Sequence, residues 1–132
     1  MTTEWAAFAA GWIGLGLLSL VFLANALGVV EQDRAQRELA AAGLPGWLAA
    51  SPSVMVGMGR LLQGIAAPAL FIPLLRPFAA ILLAAFLVLA TLTAHAFWRA
   101  AADERSLQLA NFLKNVALIG GLILAAGWQE GA

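Results

Sequence analysis

The chain has 132 residues, zero formal net charge and no cysteine, and 63% of its residues are hydrophobic. A single small domain with a mean hydropathy of +0.91 and only 11% charged residues cannot hide so much apolar surface from water, so the composition predicts lipid as the solvent. The same figures remove an electrostatic footprint for nucleic acid, disulfides, thiol redox chemistry and thiolate metal or iron–sulfur sites, and the single His excludes a haem held between two imidazoles of one chain.

The first apolar run, about 5–30, is uncharged and contains one Asn. As a helix it would rise about 39 Å, enough to cross a ~30 Å hydrocarbon core with tilt. Met1–Glu4 carries no Lys or Arg and the run is long for a signal sequence, so it reads as a retained span. Charge begins abruptly at Glu31, and Glu31–Ala42 reads as a short surface helix broken by Gly43-Leu44-Pro45-Gly46. Trp47 and Leu48 suit an interfacial anchor.

The second span, about 53–75, opens behind Ser51-Pro52-Ser53 and holds Arg60, Gln63, Pro68 and Pro73. Pro68 should kink it, because an interior proline removes a backbone bond. Pro73–Pro77 reads as a short turn, and Pro77 can open the third span, about 77–98, which closes on His95, Phe97 and Trp98. A polar loop with Asp103 and Glu104 leads to the fourth span, about 107–128, with Asn111, Lys114 and Asn115 early and Trp128 at its end. Short loops make successive helices antiparallel neighbours. The fold class predicted is an all-α membrane protein: one four-helix antiparallel transmembrane domain covering residues 1–132.

Side A denotes the side that then holds both termini, and side B the side of the two charged loops. Asn25, Arg60, Gln63, His95, Asn111, Lys114 and Asn115 all fall toward side B, and side A has no comparable residue within the spans. Helical spacing gathers Gly57, Arg60, Gln63 and Gly64 on one face, Asn111, Lys114 and Asn115 on another, and Gly14, Asn25 and Gly28 on a third. Thr91 and His95 are four apart. Small residues mark close helix approach, so Gly14, Gly28, Gly57, Gly64 and Asn25 are packing candidates. Ionisable residues within spans are functional candidates, which makes Arg60, Gln63, His95, Asn111, Lys114 and Asn115 the predicted ligand-binding set. No Asp or Glu lies within a span, so the two cations need Glu31 or Asp33, helix-end carbonyls, water or an anionic ligand as partners. The bland alternative is snorkelling, helix-packing glue and an aromatic belt.

Ala90-Thr-Leu-Thr-Ala-His95-Ala-Phe97-Trp98 resembles the third-helix ending of DoxX-type membrane proteins, and Asn111-Phe-Leu-Lys114-Asn115-Val-Ala-Leu-Ile-Gly120-Gly121 resembles their fourth-helix opening. Gly43-Leu44-Pro45 is similar to the glycine–X–proline after their first span, so the resemblance runs over nearly the whole chain. The second helix departs from the pattern: Arg60-Leu-Leu-Gln63-Gly64 stands where a Glu followed by glycines is usual, and Asn25–Glu31 replaces a familiar lysine. The resemblance implies a bacterial inner-membrane four-helix protein, a subunit or accessory of a membrane redox system with a quinone as possible ligand. His95 and Lys114 would bind the head group, oriented by Asn111 and Asn115. A structural subunit of a larger complex is the alternative, and small-solute or anion transport through an oligomer a weaker one. Expected partners are the lipid bilayer and other membrane subunits or further copies of the chain.

No stand-alone enzyme is predicted, since no nucleophile–base pair, metal-ligand spacing, phosphate loop or carboxylate pair is present. Arg34, Arg37, Arg99 and Arg105 on side B against Arg76 on side A place side B in the cytoplasm by the positive-inside rule; the resemblance leans the other way.

Overall fold

The structure is a computed structural model and describes residues 2–29, Arg37 and 52–130. Its helices are α1 (Thr3–Ala26), α2 (Pro52–Ala69), α3 (Arg76–Ala94), a one-turn 3-10 helix (Phe97–Arg99) and α4 (Arg105–Gly127). The surface helix expected over 31–42, the Gly43–Gly46 break and the Trp47–Leu48 anchor lie outside the described residues, apart from Arg37, which is helical.

The contacts run antiparallel. At one end Asn25 of α1 meets Gln63 of α2, midway Ser19 meets Ala67, and at the other end Trp12 stacks on Phe71 just beyond α2. In the second pair, His95 meets Gln108 and Thr91 meets Asn115 at one end, while Arg76 meets Trp128 at the other. Gly59 of α2 lies against Phe86 of α3, and Trp12 of α1 against Trp128 of α4, so the four helices close into a ring. Its interior is small-residue and leucine packing: Phe22, Ala67, Leu70, Ala80, Leu83 and Leu122 are fully buried.

Three helical stretches, Thr3–Ala26, Arg76–Arg99 and Arg105–Gly127, are long and apolar enough to cross a membrane. Their outward faces carry large side chains such as Ile13, Leu17, Phe78, Ile81, Ile123 and Leu124, a surface suited to hydrocarbon rather than water. Helix α2 is different. It has 18 residues, about 27 Å at the helical rise, and it carries Arg60 and Gln63. The expectation of four long apolar spans is met by three helices and a shorter, more polar fourth.

Boundaries differ from the hydropathy reading for local reasons. The first helix stops at Ala26, not near Val30, because Gly28 adopts φ +77°. Val29 N–H donates to Ala24 O at 3.0 Å and Gly28 N–H to Asn25 O at 3.1 Å, the pair of bonds that ends a helix on a left-handed glycine. The second helix ends near Pro68 rather than running on to Leu75. Pro68 sits in the last turn of α2, and Leu70, Phe71 and Ile72 then bond three residues back, to Ala67, Pro68 and Ala69. The α2–α3 turn therefore spans Leu70–Leu75. Helix α3 starts at Arg76 with Pro77 in its first turn, as the proline predicts, and ends at Ala94 rather than Trp98.

Candidate functional site

At side B the predicted residues resolve into separate pairs. Helix α1 leaves its last carbonyls without partners, as every helix end does. The glycine turn uses those of Ala24 and Asn25, and Arg60 of α2 takes that of Ala26: Nε donates at 3.1 Å and Nη2 at 3.0 Å. The cation thus sits at the negative end of the α1 dipole, where positive charge is stabilising. Of the partners considered for Arg60, the helix-end carbonyl is present. One turn on, Asn25 Nδ2 donates to Gln63 Oε1 at 3.1 Å, and Gln63 Nε2 returns a bond to Gly59 O at 3.0 Å.

The α3–α4 seam has its own pairs. Asn115 Nδ2 donates to Thr91 Oγ1 at 3.0 Å, both side chains buried. His95 Nδ1 lies 3.0 Å from Gln108 Oε1. Gln108 was not singled out from the sequence. Its signal was its position seven residues before Asn115, on the same helical face.

The expected common face of Asn111, Lys114 and Asn115 is divided. Asn115 points inward, Asn111 is half-buried, and Lys114 is exposed on the outer surface of α4. Arg60 and Lys114 therefore do not converge. Among the packing glycines, a Cβ on Gly64 would meet Ala26 at 3.4 Å and one on Gly28 would meet Arg60 Nη2 at 2.7 Å. Gly14 and Gly57 are exposed with nothing within 4 Å, so neither marks a helix contact among the described residues. Their helical-face assignment fails because each points away from the ring. No buried side-chain nitrogen or oxygen among the described residues lacks a hydrogen-bond partner.

The reading that side A has no polar residue within the spans fails at Arg76, which is the first residue of α3. Arg76, expected in an exposed turn, is 2% exposed and is the largest fully buried side chain described. Its Nε donates to Leu70 O at 2.7 Å, which fastens the α2–α3 turn. Nη1 reaches Trp128 O at 3.5 Å and Nη2 reaches Glu130 Oε1 at 3.4 Å, beyond the end of α4. The guanidinium carbon lies 4.6 Å from the Trp128 ring centroid and 5.4 Å from that of Trp12. Trp12 stacks on Phe71 at 6.1 Å and 10°, and meets Trp128 edge-on at 5.7 Å. A cation against two indole faces gains quadrupole attraction that grows as water is excluded. The hydropathy reading missed this because Pro73-Leu74-Leu75-Arg76-Pro77 looks like any polar loop. The tryptophans at 12 and 128, brought together only by the ring closure, make it an interior.

The chain matches no family model, no curated protein and no solved structure.

Proposed function

We propose that this chain is an integral membrane accessory subunit of DoxX-like type that crosses the bilayer four times, both termini on one side, and packs beside other subunits or further copies in a quinone-linked membrane redox system. The supporting observation is how the polar side chains are used. Arg60, Asn25, Gln63, Thr91, His95, Gln108 and Asn115 are engaged in bonds between helices or to backbone, while Lys114 stands on the outer face. An ammonium on an apolar transmembrane face needs a counter-charge from outside the described residues, and a carboxylate of a neighbouring subunit or lipid phosphate reached by snorkelling supplies one. An interaction role explains both facts. Helix α2 serves as the fourth crossing, with its Arg60 bonded to the carboxyl end of α1 and the Leu70–Leu75 turn adding length at side A.

Purification in a mild detergent followed by native mass spectrometry tests this. The expected result is a stoichiometric complex that Lys114→Met weakens and Lys114→Arg retains; a lone monomer for the wild type contradicts it. A quinone head group bound along Lys114 and Asn111 is the second reading, since these two residues have no bond across the helices. Quinone titration separates the two: saturable binding lost in Lys114→Met supports it, and identical null titrations of wild type and variant remove it. For a transport role, the liposome flux expected of Arg60 and Lys114 acting together would have to survive their separation on different faces.

A further inference from the structure

We propose that Arg76 is the anion-binding residue of an interfacial site for an amphiphile with a carboxylate or phosphate head group, a site the chain's own Glu130 occupies in this structure. A guanidinium offers five N–H donors in a planar fork matched to carboxylate and phosphate oxygens. At Arg76, Nε is spent on Leu70 O at 2.7 Å, a short and strong bond. Among the described residues the outer fork has two contacts, both long, 3.5 Å to Trp128 O and 3.4 Å to Glu130 Oε1. A well-formed charge-assisted bond measures about 2.7–2.9 Å. The cation is thus held firmly from within and loosely from outside.

The outer partner is placed to be exchanged. The Glu130 side chain is 36% exposed although the Arg76 it pairs with is 2% exposed, so the carboxylate stands at the mouth of the site. Glu130 follows the end of α4 at Gly127 and is tied to the bundle through the Trp128 segment. The walls suit an acyl chain rather than a small inorganic ion. Trp12 and Trp128 flank the cation, Phe71 continues the aromatic surface, and Phe8, edge-on to Trp12 at 6.2 Å, extends it on the exposed side. A ligand head group would displace Glu130 and accept from Nη1 and Nη2, leaving its tail along Trp12 and Phe71.

The test uses the full chain in a neutral maltoside detergent and reads tryptophan quenching by 11-bromoundecanoate, its phosphate analogue and the uncharged 11-bromoundecanol. Wild type should show saturable quenching by one or both anions and none by the alcohol, and the two anions distinguish carboxylate from phosphate recognition. Glu130→Gln removes the competing charge and should tighten anion binding about tenfold. Arg76→Gln should abolish the saturable component, with Arg76→Lys intermediate. Equal quenching by anions and alcohol in wild type overturns the proposal. So does unchanged or weaker anion binding in Glu130→Gln, a variant that leaves Arg76 and its bond to Leu70 in place.

Discussion

The two ends of the bundle solve the problem of polar groups in an apolar surrounding in opposite ways. At side B polarity is divided among many small bonds: Arg60 on the α1 carboxyl end, Asn25 on Gln63, Thr91 on Asn115 and His95 on Gln108. Each of these bonds joins one pair of neighbouring helices. At side A a single guanidinium joins the α2–α3 turn, the α4 end and the aromatic face of α1. Distributed bonds of the first kind give register between neighbours at modest individual energy. A shared hub of the second kind makes several elements depend on one residue.

Loss of the hub should therefore have the largest effect. Arg76→Leu strips Leu70 O of its buried donor and removes the cation between the two indoles, with an expected cost of about 2–4 kcal/mol. Reversible unfolding in mixed micelles measures it; a loss no greater than that of any side-B variant breaks the contrast. Crowding the same hub comes next. A Cβ on Gly11 would run into the Trp128 ring, so Gly11→Ala should cost about 1–3 kcal/mol and change the Trp128 fluorescence. A melting temperature equal to wild type would show that the ring is not wedged there.

Side B should respond less, and residue by residue. Arg60→Met removes the cap on Ala26 O and should cost about 1 kcal/mol. Gly28→Ala forces a side chain into the left-handed region and toward Arg60, at about 1–2 kcal/mol. The smallest effects belong to the neutral pairs: Asn25→Leu or Thr91→Val should each cost about 0.6 kcal/mol. A double-mutant cycle between Asn25 and Thr91 should be additive, since the two belong to different seams; strong coupling would mean that side B is also one network.

The contrast also explains which parts were legible in the sequence. Hydropathy placed α1, α3 and α4 within a few residues, because a long apolar run in a small chain has few other fates. It overran the α1 end, since Leu27, Val29 and Val30 remain apolar after the glycine turn has stopped the helix. Depth along each helix put Asn25, Gln63, His95 and Asn115 toward one end of the bundle, where they form bonds between helices. Spacing alone could not decide which side of a helix faces inward, so Lys114, Gly14 and Gly57 were grouped with residues they do not join. Arg76 looks like an ordinary loop cation in sequence because what buries it is tertiary: Trp12, Trp128 and Glu130 are distant along the chain. Its burial also removes it from the set of loop charges that a positive-inside count compares.

Both descriptions require α2 to run from one side of the membrane to the other, since Arg60 belongs to side B and Leu70 to the side-A hub. The absence of cysteine permits a direct test by accessibility. Ser53→Cys and Leu74→Cys place single thiols at exposed positions in the first turn of the helix and beyond its end. Labelling with a membrane-impermeant maleimide, in sealed vesicles of known orientation, should modify the two variants from opposite sides. Modification of both from the same side would contradict the four-crossing bundle.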